Sequence, residues 1–142
     1  MKALKTALIL LVALALALAL GTCKDSSTNA GSSDIVFPDT KVSYGKHVGP
    51  LFLQACAYPG CHSEDTFDQL GFSLDSYDRA MARPGVIVPC DPKSPCNPEV
   101  SVLVRRIEGL DGKNRMPLFQ TPLNDNQTKG IKTWIREGAQ NN

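Results

Sequence analysis

The sequence predicts an all-α domain of about four short helices joined by long loops. Three observations predict it. Apolar residues recur at helical spacing at both ends of residues 41–142. The stretch between is dense in Pro, Gly, Asn and Asp, with no alternating run that would make a sheet. The first helical pattern also runs directly into Cys56, where "CAYPGCH" begins.

Before that domain the chain carries a leader. Lys2 and Lys5 precede Ala7 to Leu20, a run built only of Ala, Leu, Ile and Val. It is shorter than the roughly 20 residues a spanning helix needs, and reads as a signal peptide over residues 1–22. "LGTC", Leu20 to Cys23, resembles a lipobox, with Thr22 where Gly, Ala or Ser is usual. Cys23 is then the lipidated residue that attaches the protein to a membrane, facing the periplasm or the cell surface. The alternative is plain cleavage nearby, leaving a periplasmic protein with a stray thiol. Either way the protein is exported to an oxidising compartment where disulfides persist. Lys and Arg number 15 against 14 Asp and Glu, and loss of Lys2 and Lys5 with the leader leaves a formal charge of −1. No basic stripe is present for a phosphate backbone, so nucleic acid is not an expected partner. Residues 23–40, rich in Ser, Asn, Gly and Asp around Ile35, Val36 and Phe37, read as a flexible tether. Residues 41–142 suffice for one small domain.

Within it, Val48, Leu51, Phe52 and Ala55 follow helical spacing behind Ser43 as cap, with Pro50 tolerable because it sits early. At the far end, Asn124 and Gln127 have capping-box spacing. Ile131, Trp134 and Ile135 then form an apolar stripe that Gly138 stops. Shorter helices are expected near Asp75 to Arg83 and Ser101 to Glu108, and Val86 to Val88 as an extended piece without a sheet. Such a domain has a thin apolar core, and a large flat cofactor at its centre would fill it.

"CAYPGCH" suggests which cofactor. Covalent haem attachment needs two thiols that add to the vinyl groups and a histidine directly behind that ligates the iron. The usual spacer is two residues; here it is four, with Pro59 and Gly60 able to form a tight turn that returns the second thiol. For the opposite iron face the chain offers Met81, Met116 and His47. Met116 precedes Pro117, which pushes it out of helical geometry onto a loop where it can lie across the distal face. Met81 reads as a packing residue on a helix, and His47 as a non-ligating residue on the first helix, toward solvent.

From Val42 to Asn142 the chain resembles the small cytochrome c domains of planctomycetes and Bacteroidota-type bacteria. The matching stretches are "YGKHVGPLFLQAC" into "GCH", "GFSLDSY" (71–77), "VIVP.DP" (86–92), "SVLVRRI" (101–107), "RMP" (115–117), "PLND.Q" (122–127) and "WIREGA" (134–139). The resemblance implies a small cytochrome c-like fold around one covalently bound haem c. Cys56 and Cys61 would carry the thioethers, His62 would be the proximal ligand and Met116 the distal one. It also implies an electron carrier rather than an enzyme, since His/Met ligation fills both axial positions. The partners would be other redox proteins, approached through a haem edge near the two cysteines. Arg105, Arg106 and Arg115 are candidates for propionate pairing, each with solvated surface arginine as its bland reading.

The chain departs from this pattern at Cys90, where the family usually has glycine, and in a short insert from Ser94 to Val100 that contributes Cys96. No histidine follows Cys96, so a second haem site is not expected. A small disulfide loop between Cys90 and Cys96 is, with free thiols as the alternative. Three rival functions keep their place. A haem sensor or peroxidase-like protein would have a labile distal ligand. A copper module would use Cys, His and Met. A non-haem exported interaction domain would hold "CAYPGC" as a structural disulfide.

Overall fold

Ser43 starts the first helical segment as its extended N-cap, and its side chain accepts the Lys46 amide. The computed structural model describes residues 35–91 and 93–142. The leader and the Cys23 lipid site lie outside these. From the cap runs a π-helical turn, Tyr44–Val48, which continues into α1, Gly49–Ala55. The wide turn accommodates Pro50 at the start of α1. A proline lacks the amide of a regular helix and its ring crowds the carbonyl four residues back, and both problems ease where the preceding turn is expanded.

A short 3₁₀ turn, Glu64–Thr66, and α2, Phe67–Leu70, follow the cysteine loop. Neither has a hydrophobic period, which is why the sequence did not reveal them. The segment is fastened sideways instead. Arg79 pairs with Glu64 at 2.6 Å and lies 3.9 Å over the Phe67 ring, tying it to α3, Tyr77–Met81. That helix is shorter than expected.

Val86 and Ile87 lie in a turn and bend rather than an extended piece. The carbonyls of Gly85 and Val86 accept the amides of Val102 and Leu103 at 2.9 and 3.0 Å. The open amides at the start of α4, Val102–Glu108, are thus satisfied from outside the helix. Ser101 is released from capping, and its hydroxyl accepts the Val88 amide at 3.0 Å. A 3₁₀ turn, Pro98–Val100, leads into this helix, and Gly109 ends it at φ 74°. The last helix, α5, covers Asp125–Arg136, with the expected reciprocal capping box between Asn124 and Gln127.

No strand occurs among the described residues, so the domain is all-α. Its core is larger than the thin one expected. α5 packs on α4 and on the π-helical turn, burying Ile131, Trp134 and Ile135 completely. Trp134 meets Phe52 edge-on at 6.4 Å and Tyr44 at 5.8 Å, and Tyr44 meets Tyr77 at 5.1 Å. Burial of Tyr44 holds its phenol up at about 12. No described helix is long and apolar enough to cross a membrane.

The tether boundary at residue 40 needs correcting. Phe37 is a core residue, and its backbone is held at both ends by Asn126 on α5, at 2.8 and 3.0 Å. Glu137 accepts the amides of Lys41 and Val42 at 2.6 and 2.8 Å. Residues 35–42 are therefore a strap across α5 and belong to the domain. The notch that receives Phe37 is Gly130, where a Cβ would lie 2.1 Å from Phe37 Cδ1.

Candidate cofactor site

The "CAYPGCH" segment hangs from the end of α1. The amides of Cys56 and Ala57 both close on Phe52 O, at 2.9 and 2.8 Å, so the first thiol is placed by the helix itself. Tyr58 folds back, its hydroxyl donating to Gln54 O. The chain then reverses at Pro59 and Gly60. Gly60 sits at φ 75° and the Cys61 amide donates to Tyr58 O at 2.9 Å, the pattern of a type II turn with proline first and glycine second. The expected tight turn is therefore present.

Cys56 is partly buried and Cys61 exposed, and both are free thiols. Burial, and to a lesser degree the neighbouring Cys61, push the Cys56 thiol up to about 12, so it stays protonated at neutral pH. His62 is half-buried against Phe72, with ring centroids 5.1 Å apart and planes 28° from parallel. Its carbonyl accepts the Leu74 amide at 2.7 Å, which locks the backbone behind the ring. Burial, then the positive charge of Arg106, lower the proton affinity of the imidazole. It is thus held neutral, the form in which histidine ligates a metal. Its Nδ1 is buried and has no hydrogen-bond partner.

Met116 lies on the loop after α4, as expected, and is half-buried. Its amide donates to Arg106 O at 2.9 Å, so the residue whose charge acts on His62 also anchors the methionine's backbone. Cys56, Cys61 and His62 thus share one loop, while Met116 is tied by its backbone to Arg106 on α4, and no contact joins its side chain to His62.

The remaining candidates are engaged elsewhere. His47 Nδ1 accepts the Ser43 amide at 3.0 Å and its ring lies 5.7 Å from Phe37; it is half-buried rather than turned to solvent. Met81 packs against the core. Arg105 donates to the carbonyls of Glu99 and Val100, at 3.3 and 3.1 Å, and Arg115 to Ile107 O at 2.7 Å. Arg106 faces Asp111 at 3.8 Å. All three arginines are thus occupied with the chain's own carbonyls and carboxylates.

Sequence reasoning missed the residues that close the cysteine loop from behind. Asp65 accepts the Gly60 amide at 2.8 Å, and the Ser63 hydroxyl shares its one hydrogen between Tyr58 O, at 2.9 Å, and Asp65. The Thr66 hydroxyl shares its one hydrogen between the carbonyls of Cys61 and Ser63, at 2.9 and 3.0 Å. A run of Ser, Asp and Thr just behind the histidine was the available signal, since short polar side chains close on nearby backbone.

Cys90 and Cys96 stand at disulfide distance, with Cα atoms 5.6 Å apart. The pair lies beside α5, where the Cys90 amide donates to Ile135 O at 3.0 Å. Away from the cysteine loop, a surface hollow of about 440 Å³ lies between the start of α1 and the chain before α3, lined by residues including Tyr44, Leu53, Asp75 and Asp78. Among the described residues no three His, Cys, Asp or Glu side chains converge to hold an ion. Comparisons of the chain with protein-family models, with curated proteins and with solved structures give no match.

Proposed function

We propose that the protein is an exported mono-haem c-type cytochrome that carries single electrons and catalyses no reaction of its own. The observation that carries this reading is the pair of free thiols on a Pro-Gly turn, immediately ahead of a half-buried, neutral imidazole with an unpartnered Nδ1. Cys56 and Cys61 would hold haem c covalently, His62 would ligate on the proximal side and Met116 on the distal side. Bound haem supplies a one-electron iron couple whose potential a methionine ligand raises. The chain's own contributions are local: Phe72 stacks on the His62 ring, burial disfavours its charged form, and α1 fixes the first thiol. The proposal extends to export, membrane attachment through lipidated Cys23, and redox proteins as partners.

The test is a pyridine haemochrome spectrum with intact mass, on protein from a host that matures c-type cytochromes. A c-type band and a haem-sized mass increment that survive denaturation are expected. A colourless protein, two hydrogens lighter from a Cys56–Cys61 bridge, would overturn the reading in favour of an interaction domain. Met116→Ala should then convert a low-spin spectrum to a high-spin one. An unchanged spectrum would point to the sensor or peroxidase-like alternative.

A further inference from the structure

A four-residue spacer leaves the second cysteine with more freedom than a two-residue one, because each added residue contributes two soft torsions. In this chain that freedom is removed from behind the loop. In a type II turn the amide of the third residue has no partner within the turn, and here that amide is Gly60 N. Asp65 takes it at 2.8 Å. The turn's first carbonyl, Tyr58 O, accepts both the Cys61 amide and the Ser63 hydroxyl, at 2.9 Å each. The Ser63 hydroxyl also lies within reach of the other Asp65 oxygen, so its single hydrogen is shared between Tyr58 O and the carboxylate that holds the Gly60 amide. Thr66 holds the Cys61 carbonyl at 2.9 Å. The backbone on each side of the Cys61 thiol is thereby tied to residues 63–66.

We propose that Asp65, supported by Ser63, is a positioning residue that sets the Cys61 thiol against Cys56 and so lets the long spacer serve double attachment. The inference rests on the haem reading for its purpose, but the brace itself concerns only the chain. Attachment adds each S–H across a vinyl double bond: a C–S and a C–H bond replace the S–H and the π bond, the thiol proton stays on carbon, and no oxidant is consumed. What the reaction asks of the protein is that two reduced thiols lie at a set separation.

The experiment compares wild type, Asp65→Ala, Asp65→Asn and Ser63→Ala as full chains, purified after maturation. Exchange of the Gly60 amide is measured in the folded protein, and intact mass resolves chains with no, one or two thioethers. Loss of one charge-assisted hydrogen bond should speed Gly60 exchange about fivefold in Asp65→Ala and raise the singly attached fraction by a similar factor. Ser63→Ala should show about half that effect, and Asp65→Asn, which keeps one acceptor oxygen without the charge, should fall between wild type and Asp65→Ala. If wild type carries no haem, the cytochrome reading fails. The brace is then judged on Gly60 exchange and on the Cys56–Cys61 pairing constant in a glutathione buffer, where glutathione disulfide takes the two electrons and two protons of the thiols. A Gly60 amide unprotected in wild type, or exchange and thiol pairing unchanged in Asp65→Ala, would overturn the proposal.

Discussion

The two sides of this domain are closed by different means. Around α5, apolar side chains and long-range hydrogen bonds lock distant parts of the chain together. Trp134 lies between Phe52 and Tyr44 with its indole N–H on Gln140 O at 2.9 Å, and the strap is held by Asn126 and Glu137. The Asn142 carbonyl receives the Gly45 amide and the Ser43 hydroxyl at 2.9 and 2.6 Å. Around "CAYPGCH" the bonds are short-range and serve one loop, two thiols stay free, and a buried imidazole nitrogen has no partner. Large side chains on the loops after α4 also stay in solvent, with Phe119 97% and Leu110 55% exposed. The contrast teaches where stability and chemistry are separated. Distant contacts hold the scaffold, and the reactive groups sit on a locally braced loop at its edge.

That separation can be tested by damaging the scaffold alone. The largest effect should come from Trp134→Ala, which empties a fully buried site and should cost about 3–5 kcal/mol in urea unfolding. A loss under about 1 kcal/mol would show that the aromatic cluster is not the keystone of that side.

Next in size is the Phe37 notch. Gly130→Ala places a methyl where Phe37 now lies, and should cost about 1–3 kcal/mol by expelling the strap. The double variant with Phe37→Ala should lose most of that extra penalty, because the clashing ring is gone. Additive losses in the two single variants would show that the notch and the ring do not interact.

The smallest effect is electrostatic. Lys132 on α5 pairs with Glu108 at 2.8 Å and Glu99 at 3.3 Å, and the other Glu108 oxygen is buried without a partner. Lys132→Met leaves that carboxylate less compensated and should cost about 1–2 kcal/mol. The pairs, Glu108 first, raise the Lys132 pKa above 10.5. A cation with a raised folded pKa contributes stability that is fully present below the unfolded value, here 10.5, and is lost as pH rises through the folded value. The gap between wild type and Lys132→Met in urea should therefore be constant at neutral pH and close above pH 10.5. A gap independent of pH would assign the loss to packing of the lysine stem. In all three scaffold variants Gly60 exchange, measured under conditions where the protein stays folded, should match wild type; a change would show that the loop depends on the scaffold after all.

Much of this was legible along the chain, and the reason is range. The Ser43 cap, the Asn124–Gln127 capping box, the buried stripe of α5 and the Pro59–Gly60 turn all depend on residues within a turn or two of one another. The π-helical turn ahead of Pro50 was half legible: the proline marked the irregularity without saying which form it would take. Residues 64–70 escaped notice because Glu64, Asp65 and Thr66 carry no apolar period and are held by Arg79 and by the loop before them.

By itself, then, the amino-acid order determined the helical class, the main helix caps, and the proximity of two thiols and a histidine. Such features arise from backbone torsions and hydrogen bonds between near neighbours. Tertiary structure alone decided that residues 35–42 belong to the domain, that Gly130 is small to admit Phe37, and that burial and the charge of Arg106 lower the proton affinity of His62. Each of these depends on burial or on a partner brought close by packing, and desolvation and steric fit exist only once the helices have closed on one another.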